Sequence, residues 1–410
     1  MPMTSRGKAA SLAILLLAEV AAMAVWFSSA AVVALLRADP TVPVGAAGWL
    51  TSGVQAGFVV GTAASAALSL ADRFDPRRLF RASALVAAAS TAALAVLPPV
   101  GVVPVLLRFV TGACMAGVYP VGMRIAAGWA RPGKGGRGDL GLLIGLLVAA
   151  LTLGSASPHL VAAMPGVGWR TVYLASAGLA AAAGLGIGAA ALGPSMGRAA
   201  RVDLGRMAAA WQVRPVRLAN LGYLGHMWEL YAMWAWLGAF LQSSFRASGV
   251  AGADARAAAV AFAAVAVGAL GAWGGGALGD RMGRTTVTTA AMGVSAACAL
   301  GIGWMHGGPV WALVAVALVW GVAVIADSAQ FSASVAELAP PDAVGTLLTA
   351  QTCAGFLLTL VSIQLVPVIV GVAGWPGAFG MLAAGPLLGC WAMQALRRDP
   401  AAARLAGGRG

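Results

Sequence analysis

Two glutamates stand where carboxylates are expensive. Glu19 lies inside LLLAEVAAMAVWFSSA and Glu229 inside GHMWELYAMWAWLGAF, the two most conspicuous apolar stretches of the chain. Each is followed at the same spacing by Ala, Met and Trp. Glu19, Ala22, Met23 and Trp26 match Glu229, Ala232, Met233 and Trp236 at a constant offset of 210 residues. At 3.6 residues per turn Glu19, Met23 and Trp26 share one helical face, and so do His226, Glu229, Met233, Trp236 and Phe240. A carboxylate taken out of water favours its neutral acid, so it can hold a proton when occluded and lose it when water enters. Such a group beside Trp and Met suits proton coupling next to an aromatic solute pocket. The plainer alternative is that each glutamate is a hydrogen-bonded tie between helices.

The elements that must position these residues are membrane-spanning. The chain of 410 residues is 60% hydrophobic and 10% charged, too little charge for a soluble protein of this length. Apolar runs long enough to cross a bilayer recur throughout, and lipid forces each to close its own backbone hydrogen bonds as a helix. The runs fall at about 9–36, 46–70, 79–97, 101–127, 139–163, 169–192, 217–242, 257–279, 285–304, 309–336, 344–371 and 375–396, which predicts an all-α membrane protein of twelve transmembrane helices. With the N-terminus inside, the interior segments hold twenty Lys and Arg against four outside, which puts both termini in the cytoplasm of a multi-pass protein of the cytoplasmic (inner) membrane. The first run is too long for a cleaved leader. A basic linker, 193–216, divides an N-terminal bundle, 1–192, from a C-terminal bundle, 217–396, followed by a tail, 397–410.

The halves read as repeats. Besides the glutamates, LADRFDPRR after the second run matches LGDRMGRTT after the eighth, with Asp72-Arg73 and Asp280-Arg281 offset by 208 residues. Six spans per half leave both copies pointing the same way, related by an axis along the membrane normal. The GDRMGR element resembles the loop signature of the major facilitator superfamily. Arg108, Gly112 and Gly117 in RFVTGACMAGVYP resemble that family's pattern in the fourth helix. The resemblance covers essentially the whole chain and implies two pseudo-symmetric six-helix bundles, alternating access, and a central cavity lined by the first helix of each half. Arg108 is then near the first helix, where it pairs with Glu19 or forms a purely structural ion pair. Tyr119, at the end of the same motif, joins the candidate solute contacts.

Asp327 and Gln330 make IADSAQFSASVAELAP unusually polar and are candidates for wetting the cavity. Glu337 reads as a gate latch for Arg281 or Arg284, alongside the loop pairs Asp72-Arg73 and Asp280-Arg281. His226, one turn before Glu229, is placed to tune it. His159 after Pro158 is either a packed neutral histidine or a solute contact. Pro120, Pro158 and Pro386 predict kinks.

The net charge of +13 does not indicate nucleic acid, because the basic residues sit in short loops between apolar runs. Cys114, Cys298, Cys353 and Cys390 lie in apolar segments without metal-ligand or disulfide spacing, and no cofactor is expected. RPGKGGRGD from Arg131 lacks the spacing of a phosphate loop. No His-Glu-x-x-His or paired catalytic aspartates suggest an intramembrane enzyme, and a channel fits the buried glutamates less well than a carrier. The absence of arginine in the second and eighth runs speaks against the superfamily's nitrate carriers, and Ser157-Pro158 lacks the Gly-Pro signature of its drug–proton antiporters. Paired glutamates and aromatics suit a cationic or amphipathic solute, while a free Arg108 would admit an organic anion. The expectation is a proton-linked secondary transporter of a small organic solute, with multidrug efflux by proton antiport as the alternative. Its partners are the solute, protons and the bilayer, and a monomer suffices.

Overall fold

Each apolar run closes its own hydrogen bonds, and the chain is accordingly helical, with no strand among the described residues. The computed structural model describes residues 5–36, 46–68, 70–130, 140–194, 196, 207–340 and 343–410. The helices of the first half are α1 (Ser5–Met23), α2 (Ser28–Leu36), α3 (Ala46–Ala67), α4 (Leu70–Arg73), α5 (Pro76–Ala93), α6 (Val102–Met115), α7 (Tyr119–Ala127), α8 (Leu140–Ala162) and α9 (Trp169–Gly186). The second half holds α10 (Ala209–Gln212), α11 (Arg214–Ala247), α12 (Ala253–Met282), α13 (Arg284–Ile302), α14 (Val310–Ala326), α15 (Ser328–Leu338) and α16 (Val344–Arg397). Among the described residues, nine stretches are long and apolar enough to cross a membrane. The last of them is α16, whose 54 residues are interrupted at Gly374. There φ is +65°, a left-handed geometry that glycine adopts without a Cβ penalty.

Three runs that read as continuous helices are broken. The first is interrupted between Met23 and Ser28, the fourth between Met115 and Tyr119, and the tenth at Asp327. Pro120 therefore stands in the first turn of a new helix, where its missing N–H costs nothing, rather than at a kink. The second and third breaks centre on Gly117 and Asp327, again 210 residues apart. The break between Met23 and Ser28 has no such counterpart, since α11 is continuous over Arg214–Ala247.

Packing repeats as well. In the first half α3 lies against α6, and a Cβ on Gly112 would land on the carbonyl oxygen of Val54. In the second half α12 lies against α14 with Gly275 pressed on the carbonyl of Ala326 and Gly321 on that of Ala264. Small residues let these backbones touch where larger ones would hold them apart. The two halves meet along a seam where α2 faces α11, α3 faces α16 and α8 faces α12.

At the start of α5, Asp75 accepts from the Arg77 N–H and pairs with its guanidinium at 2.8 Å. These contacts hold the carboxyl at about 2. Its contribution to stability is therefore in place above the ordinary 3.8 and is lost only as pH falls through about 2. Asp75→Ala should lower stability by about 1 kcal/mol, read as an earlier thermal unfolding midpoint in detergent.

Candidate functional site

The break between α1 and α2 leaves carbonyl groups without helical partners at the centre of the molecule. Arg108 on α6 supplies the donors. Its Nη1 donates to Val25 O at 2.9 Å and to Ser28 Oγ at 3.2 Å, its Nη2 to Trp26 O at 2.6 Å, and its Nε to Leu50 O at 3.4 Å. The side chain is wholly buried, and it is the one buried Lys or Arg among the described residues. Neither ion pair expected for Arg108 forms among the described residues: its partners are backbone carbonyls and a serine hydroxyl, not Glu19 or another carboxylate. The delocalised charge is stabilised by backbone dipoles, which also settle the freed carbonyls.

Because the first helix is broken, Glu19 and Trp26 no longer share a regular helical face. Glu19 points toward Gly122 on α7, where even a Cβ would come within 2.6 Å of its Oε2. The carboxylate is 0% exposed and neither oxygen has a hydrogen-bond partner. Tyr119, one turn from Gly122, is within electrostatic range of Glu19 and, across the seam, of Tyr223 and Tyr231.

Trp26 sits in the break and faces the seam. Its ring lies 4.7 Å from Phe58 of its own half, 5.7 Å from Phe356 and 6.3 Å from Tyr231 of the other. Phe27 stacks on Tyr231 at 5.6 Å, and Trp234 meets Phe27 edge-on. Trp26 Nε1 and both polar atoms of Gln55, one turn before Phe58 on α3, are buried without a hydrogen-bond partner. Most buried polar groups are partnered, so Trp26, Trp234 and Gln55 mark the seam as a place built for something polar. One end of the seam is closed by Gln364 Nε2 donating to Ser52 Oγ at 2.8 Å, with Trp236 against Gly48. The buried His159 packs at the seam against Gly238. Met23 and Met233 are fully buried.

The second glutamate is held differently. Glu229 turns into the core of the C-terminal half, accepting from Ser295 Oγ at 2.8 Å and Trp320 Nε1 at 2.7 Å. It does not approach the seam in a mirror arrangement with Glu19. The face of α11 that carries it also carries Phe240, which packs on Trp375 and Phe379 of the same half. The opposite face, with Tyr231 and Trp234, meets the partner half. His226 Nδ1 lies 2.8 Å from Asp327 Oδ1 at the break of the tenth run, with both groups buried.

Glu337 does pair with one of its two expected arginines. Arg284 grips it with Nη2 at 2.6 Å and Nε at 2.9 Å, and also lies 3.3 Å from Asp280. Gln330 joins this ion pair. Its Oε1 accepts from Arg284 at 2.7 Å, and its Nε2 donates to Gly275 O at 3.1 Å. Arg281 and Arg73 are exposed, and the side chain of Asp72 lies outside the described residues. In the first half Asp75 and Arg77 pair, three residues after Asp72 and four after Arg73.

The sequence reading missed Gln55, Phe58, Tyr231 and Phe356. Gln55 stood out only as a polar residue in the middle of a helix. The others are isolated aromatics in apolar runs, whose convergence depends on how the halves meet.

The model of the Major Facilitator Superfamily matches residues 14–363. Among solved structures, the chain is similar to the nucleoside transporter NupG carrying a D323A mutation, with a TM-score of 0.73 and 16% identity over 94% of this chain and 98% of that one. A second NupG structure matches with a TM-score of 0.70 and 14% identity, over 95% and 99%. No curated protein sequence matches. Helices of membrane length, broken and packed in two repeated halves, agree with the family match across most of the chain: this multi-pass membrane protein belongs to the Major Facilitator Superfamily and is a secondary transporter, not an enzyme.

Proposed function

We propose that the protein couples proton movement to the transport of a small organic solute by alternating access across the cytoplasmic membrane. In this reading twelve spans form two bundles, 1–192 and 217–396, joined by the linker 193–216 and followed by the tail 397–410, with both termini cytoplasmic as the basic loops indicate. The observation that carries the reading is Glu19, a buried carboxylate with neither donor nor cation beside it. A charge at that depth costs about 2.5–3.5 kcal/mol. A proton is the smallest partner that removes it, and access from one side and then the other turns that protonation into transport. The aromatic seam is the gate, and the Arg284–Glu337 latch stabilises one arrangement of the second half. The nucleoside named for the matched structures is theirs, since likeness at 16% identity carries the fold.

The test is a reconstitution. Liposomes with an internal pH dye and an imposed proton gradient should show solute-triggered, saturable proton flux. Flux that never depends on solute, or that does not saturate, would overturn coupling. Glu229→Gln should keep the flux but lose about 1–3 kcal/mol of stability, because the new amide nitrogen cannot accept from the donor that one carboxylate oxygen now satisfies.

A further inference from the structure

We propose that residues 399–410 form a brake on the inner gate of the second half, a strap whose release lets the Arg284–Glu337 latch open. The inference rests on reading that latch as a contact the transport cycle breaks, and it adds the segment that regulates it.

The strap is held at several points. After α16 the chain turns into a short 3-10 stretch, Pro400–Gly407, that packs against α12, α15 and α16 with Leu405 wholly buried. Asp399 accepts from the Ala401 N–H at 3.0 Å and pairs with Arg214 at the start of α11. The Ala406 N–H donates at 3.0 Å to Oε2 of Glu337, the same oxygen that accepts from Arg284 Nε. Arg409 Nη1 donates to Asp280 O at 2.6 Å, and the Thr285 N–H donates to Gly410 O at 3.2 Å. One segment thus ties the inner ends of α11, α12, α13 and α15. Drawing α15 away from α13 breaks one end of the strap as well as the ion pair. Contacts made in one arrangement only favour that arrangement, so the strap weights the balance toward the closed latch.

Two backbone features accompany the contact. Ala406 has φ +47° and is the one non-glycine residue of positive φ among the described residues. An L residue adopts that geometry at a cost, and here it is the residue whose N–H meets Glu337. A Cβ on Gly283 would lie 2.4 Å from the carbonyl oxygens of Arg409 and Gly410. The first-half copy of the motif carries Asp75 at that position, 208 residues earlier.

The first half is wrapped by different chemistry. Ala190 O accepts from Arg77 at 3.4 Å, Ala191 O accepts from Trp129 Nε1 at 3.0 Å, and the Ala191 N–H donates to Ser11 Oγ at 3.1 Å. Trp129 stands 208 residues before Glu337. An indole occupies the place that the latch carboxylate takes in the second half. Charged contacts near the surface are the ones that water and salt take over most readily, so the second wrap is the releasable one.

The experiment is hydrogen–deuterium exchange on the full-length protein in detergent, with three variants. Ala406→Pro removes the N–H and cannot adopt φ +47°. It should raise exchange at the inner ends of α13 and α15 roughly tenfold. Arg409→Ala should act in the same direction. Ala406→Gly keeps the N–H and relieves the left-handed strain, so exchange there should fall. The start of α5, the matching end of the first half, should not change. In liposomes the proline variant should speed solute-triggered proton flux and the glycine variant should slow it. Should Ala406→Pro fail to fold, the opposite shifts of Ala406→Gly and Arg409→Ala carry the test. Unchanged exchange at both helix ends, or equal and measurable flux in all variants, would overturn the proposal. Exchange that shifts as expected in a protein with no solute-triggered flux would count against proton coupling and leave the strap's hold on the latch standing.

Discussion

Arg108→Leu should abolish the folded protein or nearly so. The substitution removes a charge with no free solvent exposure, orphans the carbonyl of Trp26, and leaves Val25 O with Ser28 Oγ alone and Leu50 O without this donor. A buried group so orphaned costs about 1–3 kcal/mol, and with the weakened contacts at Val25 O and Leu50 O the loss is a large fraction of a marginally stable fold. Ser28 Oγ, which already donates to Val25 O at 2.9 Å, can cover only part of the loss. Arg108→Lys should be intermediate, since one ammonium keeps the charge but cannot span the same fork of acceptors. The measurement is the monodisperse fraction on size-exclusion chromatography and the unfolding midpoint in detergent. Were Arg108→Leu to fold with an unchanged midpoint, the arginine would not be holding the break.

The all-helical, multi-pass character was legible because lipid imposes it. Apolar runs, the basic loops and the repeated Glu-Ala-Met-Trp spacing each follow from sequence without knowledge of contacts. The latch was half legible, because opposite charges at the ends of neighbouring helices have few other partners. Sequence left Arg281 and Arg284 equivalent, and geometry chose Arg284. What sequence could not supply was the break in the first helix. Helical periodicity put Glu19 and Trp26 on one face, but the donors that make a break affordable sit on another helix, at Arg108. The same limit hid the difference between the glutamates. Identical local spacing led one to turn toward Gly122 and the other toward Ser295 and Trp320, because the residues facing them differ between the halves. The backbone repeats at the breaks at Gly117 and Asp327 but not at the break in the first helix, and the side chains around the two glutamates differ.

That divergence makes Glu19→Gln the sharper of two matched substitutions. Glutamine keeps the size of the side chain and cannot exchange a proton. Glu19 has no partner to lose, and removing a potential charge from the interior relieves the cost of carrying it. The variant should therefore fold with a midpoint equal to or above that of the wild type. In liposomes its solute-triggered proton flux should fall to the level of protein-free vesicles. Exchange of labelled solute across the membrane without a gradient should persist if the solute is uncharged, because rocking of the halves does not itself need the proton. The pattern separates three roles. Lost flux with retained exchange assigns the proton to Glu19. Loss of both makes it a solute ligand alone. A lower unfolding midpoint with flux intact makes it the helix tie, and moves the search for the proton site to the buried His226–Asp327 pair.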